Sequence, residues 1–333
     1  MTAVAPTFDV VAIGNAIVDV LAPSDDAFLA EHALTKGGMQ LIDAETATSL
    51  YANMGAGKEI SGGSAANTLA GLAALGKTCG FIGQVNADQL GDVFAHDVRA
   101  LGIRFDTPAA TGDVPTARCL ILVTPDAQRT MNTFLGASQF LPASALDLDL
   151  IRSASILYLE GYLWDPEQPR AAMRAAIDAA RGAGRKVAFT LSDNFVINRH
   201  RADFIDLIDG GLIDILFSNE GEIQSLAQID DFDKAVTSIA ARVPVLVSTR
   251  SEKGAVAVVD GVRYEAYASP VERIVDTTGA GDLFAAGFLA GHLEGLDVEQ
   301  CLKLGAVAAA EIISHWGARP EQDLQAIRAK LLG

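Results

Sequence analysis

Apolar runs of strand length and amphipathic stretches of helix length take turns along most of this chain. Phe8 to Ile13 reads as a buried strand that stops at Gly14, and Ser64 to Leu75 as a small-residue helix closed by Gly76. Extended patterns follow at Cys79 to Gln84, Ser155 to Glu160, Val187 to Leu191, Ile213 to Phe217 and Pro244 to Thr249. Helical patterns lie between them at Asp88 to Leu101 and Gln168 to Ala183, and two more come late, at Gly279 to His292 and Val298 to His315. Strands alternating with helices predict an α/β fold, a mostly parallel sheet with helices on both faces.

Two stretches break that rhythm. Residues 15 to 60 and 104 to 135 carry short β-like pieces, such as Ala117 to Val123 and Thr130 to Leu135, and together predict a small flanking sheet. Inserted between elements of the main sheet, it is suited to act as a lid over the strand ends where open α/β sheets bind ligands, excluding water when closed. No repeat, linker or low-complexity run interrupts the chain, which predicts one domain over residues 1–333.

Composition narrows the function. Hydrophobic residues make up 50% and 31 residues are glycine, which provides for a buried α/β core and argues against disorder. A net charge of −17 argues against nucleic acid or an anionic membrane as partner, since both require a basic footprint. Any phosphate site in so acidic a chain must be local, built from backbone N–H groups, a few Arg or Lys and a divalent metal. Cys79, Cys119 and Cys301 lie too far apart for a disulfide framework or a zinc cluster, and His32, His96, His200, His292 and His315 show no metal-ligand spacing. Met1 to Phe8 has no basic start with an apolar core, and no apolar run is long enough to span a bilayer, so a cytoplasmic enzyme is expected.

Chemistry concentrates in Asp276-Thr277-Thr278-Gly279-Ala280-Gly281-Asp282, which feeds straight into an apolar helical run. The glycines flanking Ala280 let the backbone turn tightly and aim successive N–H groups at one point, where the positive end of the helix completes an anion cradle. Asp282 falls in the first turn of that helix, beside any phosphate so held, where it can take a proton from an attacking hydroxyl. Gly71 to Thr78 matches the P-loop pattern letter for letter, but its context is wrong: helical filling, a capping glycine, then a strand.

Other candidates have a plainer reading beside the functional one. In Ser61-Gly62-Gly63-Ser64-Ala65-Ala66-Asn67 the glycine pair admits a ligand to the backbone and Asn67 can grip hydroxyls; a glycine loop with a Ser64 cap fits equally. Asp19, in Gly14-Asn15-Ala16-Ile17-Val18-Asp19, is an acceptor for a vicinal diol or a surface acid. Asn219 and Glu222 have capping-box spacing; the functional reading has Glu222 ordering water around Mg2+ and Asn219 meeting phosphate oxygens.

Taken together, Gly62-Gly63 with Asn67, Asn219-x-x-Glu222 and Asp276 to Asp282 resemble the ribokinase-like (PfkB) family of carbohydrate and nucleoside kinases, in order and spacing along nearly the whole chain. The resemblance implies a three-layer α/β/α domain with a β lid, ATP as donor, Mg2+ as essential metal, Gly279, Ala280 and Gly281 as anion hole, and Asp282 as base. It further implies a K+ site beside Asp276 and Thr278, and ATP contacts at Asn219, Thr249, Gly254 and Gly281. Within the family, several segments look most similar to the adenosine kinases. By that likeness Asn15, Asp19, Gly62, Gly63 and Asn67 meet a ribose, Arg129 lies near the transferred phosphate, and Met131 and Thr133 lie near a base. Tyr162 and Phe195 could then sandwich a purine, the alternative being two core aromatics. Two departures stand out: Thr249-Arg250-Ser251 replaces the usual Thr-x-Gly, and Asp193-Asn194 replaces Ala-Pro before the aromatic.

The expected reaction is ATP-dependent phosphorylation of the 5′-hydroxyl of adenosine. A kinase of ribose, fructose or a related furanose is the alternative, and a non-catalytic nucleoside sensor a third. Expected partners are small molecules, a nucleoside or sugar together with ATP, acting on a monomer or homodimer.

Overall fold

Alternate residues of the first strand face opposite ways: Val10 and Ala12 pack into one apolar cluster, Val11 and Ile13 into another. Leu157 and Leu159 repeat the pattern against Ile156 and Tyr158, so a two-faced sheet divides the core. These features belong to a computed structural model that describes residues 5–126 and 128–332; residues 1–4, part of the stretch weighed above as a leader, lie outside them. Among the described residues no helix is long and apolar enough to cross a membrane.

In chain order the strands are β1 (Phe8–Ile13), β2 (Ile17–Pro23), β3 (Met39–Leu41), β4 (Lys58–Gly62), β5 (Cys79–Ile82), β6 (Ala117–Val123), β7 (Arg129–Phe134), β8 (Ala154–Glu160), β9 (Lys186–Thr190), β10 (Ile215–Asn219), β11 (Val245–Thr249), β12 (Ala255–Val259) and β13 (Val262–Ala266). The main sheet runs β13-β12-β11-β10-β9-β8-β1-β5. Its members are parallel from β5 to β11, with an antiparallel hairpin, β12 and β13, on one edge. The sequence reading missed that hairpin, although its turn, Asp260-Gly261, takes the positive φ at both residues that a two-residue hairpin loop requires. The smaller sheet, β3-β7-β6-β2-β4, is drawn from the two stretches that broke the alternation.

Two helices position the chemistry. Ala280–Leu293 is buried on nearly every side, and close packing explains its small residues: a Cβ on Gly287 would lie 2.6 Å from the Leu304 carbonyl oxygen. Ser64–Ala74 packs against it, and a Cβ on Gly71 would come within 2.5 Å of Leu283. The P-loop look-alike is thereby explained as packing at Gly71 and a left-handed helix stop at Gly76, φ 82°. Ser64 does not cap its helix. Gly63, at φ 92°, holds the cap position without a side-chain bond, leaving the Ser64 hydroxyl for another partner.

Candidate active site

A cavity of about 700 Å³ lies at the carboxyl ends of the parallel strands, with the small sheet supplying another wall. Asn15, Glu160, Thr190, Asn219 and Thr249 line it from the ends of β1, β8, β9, β10 and β11.

Asp282 is held by two donors from the neighbouring helix. The Ser64 hydroxyl donates to Oδ1 at 2.6 Å and the Asn67 amide to Oδ2 at 2.9 Å. Burial pushes its pKa above the ordinary carboxylate value, while Ser64, Asn67 and the Arg319 charge pull the other way. The anion loop turns at Gly279, whose φ is 79°. The Ala280 N–H is engaged by the Thr277 carbonyl at 3.2 Å, so it is not a free member of the expected cradle. The N–H groups of Gly281 and Asp282 have no intrahelical acceptor, and a Cβ on Gly281 would meet open space.

Asp19 also lines the cavity. Its carboxylate lies over Gly62, where a Cβ would come within 2.5 Å of it, and a Cβ on Gly63 would stand 2.2 Å from the Asn15 carbonyl oxygen. The glycine pair is therefore dictated sterically on both sides. Burial raises the Asp19 pKa to about 6, against the opposing charges of Arg319 and Arg129. Asn15 is largely committed to the framework: its N–H and amide each donate to Glu160 at 2.7 Å, and its oxygen accepts from Ser138 at 2.8 Å.

Arg129 differs from expectation. Its Nη1 lies 2.5 Å from Asp276 Oδ2 and 2.9 Å from Thr278 Oγ1, with the guanidinium 4.7 Å from the Trp316 ring centre. It therefore ties β7 to the start of the anion loop, with Nε and Nη2 left unpartnered. Asp276 also accepts the N–H of Thr278 at 3.0 Å and of Gly317 at 2.9 Å. With a guanidinium already against Asp276 and Thr278, this pair does not fit a K+ ion, and no step is derived through one.

Asn219 and Glu222 form a complete capping box: the Glu222 N–H donates to Asn219 Oδ1, and the Asn219 N–H and amide donate to Glu222. Both line the cavity, so capping and ligand contact are compatible. Burial raises the Glu222 pKa to about 7. Each of its oxygens has a second lone pair, which fits a water-mediated hold on Mg2+.

The purine sandwich is corrected by the ring positions. Tyr162 and Phe195 line the cavity, but their centroids are 6.1 Å apart at 40°, the separation of rings in mutual contact, with no slot between them. They form one wall. Met131 and Thr133 also line the cavity, joined by Ile17, Met39, Leu41 and Ile121 of the small sheet. Thr249 lines the cavity, whereas Gly254 does not: its φ of 90° and the Ala266 carbonyl, 2.0 Å from where a Cβ would lie, explain that glycine.

Sequence reasoning missed Glu160 and Arg319. Glu160 is fully buried, also accepts the Ala65 N–H at 2.8 Å, and is pushed up to about 7 by burial. Its one sequence signal was an acid ending an apolar strand. Arg319 lies in a loop without periodicity and gave no signal beyond being basic in an acidic chain.

A glycine-turned helix start with a carboxylate in its first turn, set among polar side chains at the strand ends, fits a phosphotransferase with an alcohol acceptor. The chain belongs to the pfkB family of carbohydrate kinases, whose model matches residues 9–324. It is similar to the solved adenosine kinase from Sinorhizobium meliloti, at 45% identity and TM-score 0.90 over 97% of this chain and 99% of that one. A probable sugar kinase protein from Rhizobium etli is 46% identical, with TM-score 0.90 over 98% and 99% of the two chains. Adenosine kinase of Saccharomyces cerevisiae is 27% identical over 93% of this chain and 96% of its own. Family membership implies ATP as co-substrate.

Proposed function

We propose that the chain transfers the γ-phosphoryl group of ATP to the 5′-hydroxyl of adenosine. The mixed polar and apolar lining of the cavity supports adenosine over a lone sugar. Asp19, Asn67 and Asp282 supply polar groups for a ribose, and Ile17, Met39, Leu41, Ile121 and Met131 of the small sheet supply an apolar wall that a sugar would leave uncovered. Leu41 is 53% and Met39 45% exposed, apolar surface that a nucleobase can cover.

In this reading Asp19 accepts hydrogen bonds from the ribose diol, and Gly63 lets the sugar approach the backbone. Asp282 takes the proton from the 5′-hydroxyl as it attacks phosphorus, and the N–H groups at the start of its helix receive the phosphoryl oxygens. Glu222 is suited to hold Mg2+ through water, and Mg2+ bound with ATP neutralises charge on the transferred group. Closure of the small sheet as a lid would keep water from competing with the acceptor.

The contact between Tyr162 and Phe195, which leaves no purine slot, favours a second reading: a kinase of ribose, fructose or a related furanose. A coupled ADP-release assay with adenosine, inosine, guanosine, ribose and fructose decides. Adenosine should give the highest kcat/KM; turnover of a free sugar with none of adenosine overturns the proposal.

A further inference from the structure

Asp19, Glu160 and Asp282 all line one cavity of a strongly acidic chain, so the cations facing them matter. Arg129 on β7 is committed to Asp276 and Thr278. Arg319, in the loop after helix Val298–Ile312, lies near enough for its charge to act on Asp19 and Asp282 and does not itself line the cavity. Its Nη1 donates to Asn67 Oδ1, and its Nη2 to the Ser61 carbonyl and, at 3.1 Å, to the Ser61 hydroxyl.

The consequence for Asn67 is specific. A guanidinium only donates, so the Asn67 oxygen must face it, and the amide NH2 must then point the other way. That NH2 is the donor 2.9 Å from Asp282 Oδ2. The neighbouring residues of the loop serve the same region: Gly317 donates to Asp276 at 2.9 Å, and Ala318 lies 2.8 Å from where a Cβ on Gly279 would be. Behind Arg319, Asp97 accepts the Ser61 N–H at 3.0 Å and pairs weakly with His96 at 3.5 Å.

We infer that Arg319 is a positioning residue for phosphoryl transfer, fixing the amide of Asn67 toward Asp282 and supplying positive charge that favours the ionised form of Asp282 and, with Arg129, that of Asp19. The inference rests on Asp282 being the base. Burial lowers the Arg319 pKa to about 10, which leaves it charged at neutral pH.

The test is the pH profile of kcat for Arg319→Gln and Arg319→Lys, run beside Asp282→Asn with adenosine, or with ribose if adenosine is not turned over. Arg319→Gln removes the charge and lets Asn67 turn, so the acid limb should move up by about one pH unit or more, with kcat at neutral pH down about 10- to 100-fold. Arg319→Lys keeps the charge, so its limb should stay within a few tenths of a unit of the parent, and it carries the test if the Gln variant does not fold. Equal losses at every pH with an unmoved limb in Gln, or a shifted limb in Lys, overturn the inference. Near-normal turnover in Asp282→Asn removes the base reading instead, so the two failures are distinct.

Discussion

The hydroxyl of Ser64 donates to Oδ1 of Asp282 at 2.6 Å, joining the first residue of one helix to the first turn of another 218 positions away. As a donor to the charged carboxylate it favours ionisation, against burial. Asp282→Asn should lower turnover by a factor on the order of 10² to 10⁴, the loss expected for a positioned base. Ser64→Ala should leave alkaline turnover within about threefold and shift the acid limb of kcat upward, because the ionised form loses a donor. An unmoved limb in a folded Ser64→Ala variant would count against the bond acting on the base.

Asp19 sets a separate dependence, on acceptor binding. In the proposed reading it serves the diol as an ionised acceptor, and burial lifts its pKa to about 6. Protons are gained as pH falls through that value, so KM for the acceptor should be flat above it and rise below. Asp19→Asn should raise KM and abolish that rise while the acid limb on kcat, which belongs to Asp282, persists. Retention of the rise in the Asn variant would assign it elsewhere.

The parallel strands and the helix that carries Asp282 were legible because each rests on a local pattern: an apolar run for Phe8 to Ile13, a Gly-Ala-Gly turn before Asp282. The apolar lining of the cavity was not, because Leu41 and Ile121 lie on different strands of the small sheet and meet only through its β3-β7-β6 order. Glu160 and Arg319 were hidden for the same reason. Glu160 acts on Asn15, 145 positions away, and Arg319 on Asn67, 252 positions away, and no local spacing encodes either. Arg129 was assigned by analogy with the phosphate side, and only its distance to Asp276 shows the ion pair.

That ion pair makes a prediction about salts. Side chains of Arg129 and Asp276 are 9% and 2% exposed, so removing the guanidinium leaves a buried carboxylate without its charge partner. Arg129→Gln should destabilise the fold by about 3–5 kcal/mol in urea titrations. Turnover of the parent should be the same in KCl as in tetramethylammonium chloride, since Arg129 already sits against Asp276 and Thr278. A clear K+ requirement in the parent would show that the ion pair opens to admit the ion.

The apolar wall separates the two acceptor classes most directly. Leu41 and Met131 line the cavity from β3 and β7. Truncating either removes surface that only a base can cover, an effect of about 1–3 kcal/mol, or 10- to 200-fold, when a pocket loses apolar contact. For a nucleoside kinase, Leu41→Ala and Met131→Ala should therefore raise KM for adenosine by at least tenfold with kcat nearly unchanged, because the contact is equal in ground and transition states. Tyr162→Ala and Phe195→Ala should act in the same direction. For a sugar kinase the same substitutions should leave KM for ribose or fructose within about twofold, since no ligand atom reaches that wall. Steady-state kinetics on the four variants thus read the acceptor class from the protein side, independently of which compound in a substrate panel is turned over fastest.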